Sequence, residues 1–69
     1  MRAYRDTAGD RRVTAFESGA DYIEVLFRDG SRRKYTYSSA GDLNVEKMKW
    51  LAVTGNGLAV FIERNIGTP

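Results

Sequence analysis

Three consecutive cations, Arg32-Arg33-Lys34, run straight into Tyr35-Thr36-Tyr37, in a chain of 69 residues that has no His and no Cys. Cations beside aromatic rings are the groups that meet phosphates, carboxylates and stacked bases, so the chemistry on offer is recognition. Without His or Cys there is no general base of the usual neutral-pH kind, no thiolate nucleophile and none of the N and S ligands that most zinc sites use. Asp21 and Glu24 come nearest to a carboxylate pair, but residues three apart on a strand point to opposite faces and do not converge. No Gly-rich phosphate loop, triad or metal-ligand spacing occurs. The expectation is a binding module and not an enzyme, with no catalytic residue, cofactor, metal or small-molecule substrate.

The formal net charge is only +2, so the distribution of charge matters more than its total. Arg28, Arg32, Arg33 and Lys34 stand against Asp29 alone, whereas after Ser39 the acids Asp42, Glu46 and Glu63 balance Lys47, Lys49 and Arg64. The positive field therefore gathers around one hairpin. No apolar run reaches the roughly 20 residues of a membrane span, and Met1 to Asp6 lacks the hydrophobic region of a signal peptide. The expectation is a cytoplasmic protein with no membrane partner. A chain of this length forms one domain and buries only about 60% of its unfolded surface, so a compact core or a homodimer must stabilise it.

Residues 1–12 mix four Arg with two Asp and show neither strand nor helix period, which reads as a flexible N-terminal arm, with Tyr4 available to dock. From Val13 the pattern is β-like. Val13 to Glu17, Tyr22 to Arg28 and Arg32 to Tyr37 are rich in β-branched and aromatic residues and are separated by Ser18-Gly19-Ala20 and Asp29-Gly30. These predict a three-stranded antiparallel meander. Ile23, Val25 and Phe27 share a face, and Tyr35 and Tyr37 join it only if the connecting loop has an odd length. Arg28-Asp29-Gly30, with Gly30 left-handed, meets that demand. The same parity sets Tyr22, Glu24, Leu26 and Arg28 with Arg32, Lys34 and Thr36 on the reverse face, and Phe16 is expected to join them.

Ser38 to Asp42 is a turn-forming cluster, after which Asn44 is placed to cap a helix running to about Thr54. Val45, Met48, Leu51 and Ala52 recur at helical spacing as its buried stripe, and Gly55 supplies the left-handed cap. Asn56 opens a second short helix that turns Leu58, Phe61, Ile62 and Ile66 inward. The predicted architecture is α+β: the meander followed by two short helices packed on one sheet face, over residues 13–66, with 67–69 a C-terminal tail. Trp50 lies off the buried stripe. It either packs beneath the arm or the second helix, or it anchors a partner, as exposed Trp does at interface hot spots.

The Tyr35-Thr36-Tyr37 strand, the Met/Leu-striped helix, the Gly break and the last helix with its terminal Ile resemble the KTSC domain, a short module found at the C-terminus of some lysyl-tRNA synthetases and alone in small bacterial proteins. The matching positions are Gly30, Tyr35, Tyr37, Gly57, Phe61 and Ile66, and the resemblance covers roughly residues 13–66. Similar domains often carry a Pro soon after the Tyr-x-Tyr strand and an aromatic beyond the last Ile. This chain has Ser38-Ser39-Ala40-Gly41-Asp42 and Gly67-Thr68-Pro69 there. The resemblance implies a β-meander with helices on one face and the RNA-binding role suggested for that family.

Two functional readings follow. In the first, the module mediates protein–protein interaction, by self-association through the sheet or its edge or as an adaptor or inhibitor on a larger bacterial or phage protein; the small size, Trp50 off the buried stripe, and Leu26 and Phe16 on the reverse face motivate it. In the alternative, Arg28, Arg32 and Lys34, with Arg11 and Arg12 behind them and Tyr22 or Phe16 as a stacking ring, bind RNA or single-stranded nucleic acid. The plain counterpart is that cations on an edge hairpin only prevent edge-to-edge pairing. For Tyr35 and Tyr37 it is that their rings belong to the core or its rim.

Overall fold

The turn at Arg28-Asp29-Gly30 forms as the parity of its flanks requires. Phe27 N–H donates to the Ser31 carbonyl (2.8 Å), Gly30 N–H donates to the Phe27 carbonyl (2.9 Å), and Gly30 has a φ of 91°. Ile23 then pairs with Tyr35 and Val25 with Arg33, odd position on odd position. The computed structural model describes residues 1–66, so the tail at 67–69 lies outside the described residues. Its sheet has four antiparallel strands in the order β1-β2-β3-β4: β1 Arg2–Ala3, β2 Val13–Ser18, β3 Tyr22–Phe27 and β4 Arg32–Thr36. Helices α1 (Tyr37–Ala40), α2 (Asp42–Thr54) and α3 (Leu58–Phe61) follow, the last running into a π-helical turn at Ile62–Ile66. The class is α+β, as expected, with one strand more than the meander.

The extra strand comes from the segment read as a flexible arm, and that reading is corrected. Arg2 and Ala3 pair with Phe16 and Ala15, and Tyr4 is buried in the core. The Tyr4 hydroxyl donates to Asp6 Oδ2 (2.8 Å) and accepts from the Leu58 N–H (3.0 Å). Asp6 Oδ2 also accepts the Gly57 N–H (3.0 Å), and Thr7 N–H reaches the Gly55 carbonyl (2.7 Å). The segment thus satisfies the orphan backbone groups of the Gly55–Gly57 break between α2 and α3, where intrahelical partners run out.

Phe16 also departs from the expected reverse face. A bulge between Val13 and Ala15 inserts one residue into β2, so Val13 and Phe16, three apart, both turn toward the helices and are buried. Phe16 is therefore core, opposite Val25. Tyr37 is the third correction. The strand ends at Thr36, whose Oγ1 accepts the Ser39 N–H (3.1 Å) while its own N–H donates to Ser39 Oγ (2.9 Å). This reciprocal cap starts a one-turn helix where a plain turn was expected, and rotates Tyr37 out of the strand's core face to 39% exposure.

Helix α2 begins at Asp42, two residues before Asn44, whose side chain instead donates to the Ala40 carbonyl (2.8 Å). Its end at Thr54 and the left-handed Gly55 cap (φ 75°) are as expected. Val45, Met48, Leu51 and Ala52 are buried and pack with Ile23, Val25, Tyr35, Leu58 and Ile62 in a single cluster between helices and sheet. Phe61 and Ile66 are partly buried against it.

Candidate binding surfaces

With the helices on one side, the other face of the sheet is open, and register decides what stands on it. Tyr22 pairs with Thr36, Glu24 with Lys34 and Leu26 with Arg32. Four of the residues singled out from sequence, Tyr22, Leu26, Arg32 and Lys34, are brought together here. Lys34 Nζ sits 4.4 Å from the centroid of the Tyr22 ring, so this ring is covered by a cation.

Arg28 does not join them. It lies in the turn, where its N–H donates to the Arg12 carbonyl (2.9 Å), and it lines two grooves. One, of about 520 Å³, has Phe27, Ala59 and Ile62 along its apolar wall and Arg28, Arg33 and Ser31 at its rim. Arg33, on the helix side of β4, is thereby separated from Arg32 and Lys34. Arg12 reaches the same groove but is already paired with Asp10 (2.8 Å) and Glu63 (2.5 Å). Its hydrogen bonds to Asp10 and then Glu63 push its proton affinity above the ordinary arginine value and hold Asp10 below the usual carboxylate range. Among the described residues no carboxylate lies within 4 Å of the side-chain nitrogens of Arg28, Arg32, Arg33 or Lys34.

Trp50 is 56% exposed, so it does not pack beneath the first residues or α3. It is accompanied by Leu43 at 83% and Val53 at 61% exposure. At 100° per residue Leu43 and Trp50 fall within about 20° of each other on α2, with Val53 one turn beyond, opposite the buried stripe. The seven-residue spacing of Leu43 and Trp50 is the sequence signal for this outer stripe. Glu46 and Lys47 stand between them, and Lys47 Nζ lies 5.8 Å from the Trp50 ring.

A polar clamp fixes this helix to the β2–β3 turn. The Tyr37 hydroxyl donates to Glu46 Oε2 (2.5 Å), and Lys49 Nζ donates to Glu46 Oε2 (2.9 Å) and to the Ala20 carbonyl (3.0 Å). The bond to Glu46 raises the Tyr37 pKa, and the bonds from Tyr37 and then Lys49 hold the Glu46 carboxyl below its ordinary range. Asp21 and Glu24 belong to no cluster of three or more metal-ligating side chains among the described residues. No described helix is long and apolar enough to cross a membrane. No protein-family model, curated protein or solved structure matches the chain.

Proposed function

We propose that the chain is a small non-catalytic interaction module whose outer α2 face pairs with a second copy of itself. The observation that carries this is the exposure of Leu43, Trp50 and Val53 on one stripe of a helix whose other side is fully committed to the core. Apolar side chains left in water on one helix face cost free energy that a partner recovers. The stripe is also self-complementary. Antiparallel pairing of two α2 helices about the midpoint of Glu46 and Lys47 sets Leu43 against the partner's Trp50 and Glu46 against the partner's Lys47. A helix about 20 Å long offers far less than the roughly 800 Å² per partner of a standard interface, so the dimer is weak. Sedimentation velocity over a range of concentrations tests this: a growing dimer fraction is expected for the native chain, and monomer at every concentration for Trp50→Glu. A native chain that stays monomeric at the highest concentration overturns the self-pairing.

Membership of the KTSC family is part of the proposal, supported by the meander, the Gly55–Gly57 break and the inward Tyr35, Phe61 and Ile66. RNA binding is the second reading, favoured by Arg32 and Lys34 on the open sheet face, neither of which meets a carboxylate within 4 Å among the described residues. It ranks second because Lys34 covers the one ring, Tyr22, that a base would need. Oligonucleotide titrations at two salt concentrations separate the readings, since each of Arg32→Ala and Lys34→Ala should lower a true salt slope by about one.

A further inference from the structure

The β4 edge offers a second surface, distinct from the outer face of α2. Strand β4 is the last in the sheet. The bond from Phe27 N–H to the Ser31 carbonyl makes residues 27 and 31 a hydrogen-bonded pair, so by antiparallel alternation Val25/Arg33 and Ile23/Tyr35 are the next two. The N–H and C=O groups of Arg32 and Lys34 therefore point outward along the free edge, while Thr36 N–H is taken by Ser39 Oγ. An edge of this kind is a template for another strand.

Its charges decide which strand. A second copy of β4 would lay Arg32, Arg33 and Lys34 against their own kind, and like charges directly opposite destabilise a pair. An acidic strand meets the reverse. Residues placed opposite Arg32 and Lys34 stand on the open sheet face, beside two cations with no carboxylate within 4 Å among the described residues. The residue between them stands on the helix side, next to Arg33 and the groove walled by Phe27, Ala59 and Ile62. The two carboxylates that line that groove are occupied, Glu63 by Arg12 and Asp29 by Ser31.

We infer that the β4 edge captures an extended acidic peptide of alternating acid–apolar–acid pattern, by strand addition to Arg32 and Lys34. The test uses the full chain and a labelled, end-blocked Glu-Val-Glu-Val-Glu peptide, read by anisotropy and by amide hydrogen exchange. The expected result is saturable binding, slowed exchange at the Arg32 and Lys34 amides, and at least about a tenfold weaker affinity for Arg32→Glu/Lys34→Gln, about 1.4 kcal/mol. A Lys-Val-Lys-Val-Lys peptide should not bind. Exchange in the native chain decides the matter even if the double variant fails to fold. Absence of binding, unchanged exchange at those two amides, or equal binding of a block-sequence Glu-Glu-Glu-Val-Val peptide overturns strand addition. Displacement of the peptide by an equal charge of single-stranded oligonucleotide overturns the acidic-peptide assignment in favour of nucleic acid.

Discussion

Asp6 ties the first residues to the break between α2 and α3. Burial alone would raise its pKa, but the Ala8 N–H, the Tyr4 hydroxyl and the Gly57 N–H all donate to it and together hold it below its ordinary value. A depressed carboxyl contributes stability above its unfolded pKa of about 3.9, and that contribution is lost as pH falls through the folded value. Asp6→Asn should therefore cost about 2 kcal/mol at neutral pH, the scale of a hydrogen-bonded charge, and flatten the stability profile below about pH 4; urea melts across that range check it. Tyr35 makes a contrasting case. It is buried, burial raises its pKa, and its hydroxyl finds no protein partner among the described residues. Tyr35→Ala should cost about 3 kcal/mol as a large-to-small core change, whereas Tyr35→Phe should be neutral or stabilising by up to about 1 kcal/mol. A Tyr35→Phe variant that melts well below the native chain would mean the hydroxyl is satisfied after all. Tyr35 was legible because strand parity fixed its face. Asp6 was not, because its decisive partner, Gly57, lies 51 residues away along the chain.

Helix α2 and the hairpin at Arg28-Asp29-Gly30 are the elements that the residue pattern specified best, since one rests on helical periodicity and the other on the length of a loop. Each relies on a left-handed glycine, and the two glycines are predicted to differ. A Cβ at Gly30 meets nothing within 4 Å, so Gly30→Ala bears only the cost of its backbone conformation, about 1 to 2 kcal/mol. A Cβ at Gly55 runs into the Arg5 carbonyl oxygen as well. Gly55→Ala should thus be the more damaging of the two, with thermal melts giving the order; equal losses would show that residues 5–7 yield to the added methyl. The elements misjudged differ in cause. The bulge that turns Phe16 inward leaves no mark in alternation, because Val13-Thr14-Ala15-Phe16 reads as an ordinary strand. The end of β4 was readable in principle, since Thr36 and Ser39 stand at capping-box spacing, but Tyr35-x-Tyr37 reads equally as two rings on one strand face.

For a chain of 69 residues, stability of about 0.05 to 0.15 kcal/mol per residue amounts to only about 3 to 10 kcal/mol, so no packed segment is spare. This bears on the first residues, whose polar composition hid their role: one aromatic among Arg and Asp carries no period, yet Tyr4 fills the space between β2 and α3 and bonds to Leu58. Removing residues 1–8 deletes β1, a buried tyrosine worth about 3 to 5 kcal/mol on the scale of aromatic truncations, and the carboxylate that holds Gly57. That sum is comparable with the whole stability of the domain. The truncated chain should therefore show no cooperative urea transition and a poorly dispersed amide spectrum. The α2 pairing should go with it, because the Gly55 carbonyl that anchors the end of that helix is held by Thr7. A truncated chain that unfolds cooperatively at the native midpoint would make residues 1–8 an accessory strand, and α2 would then be positioned by Tyr37, Glu46 and Lys49 without them.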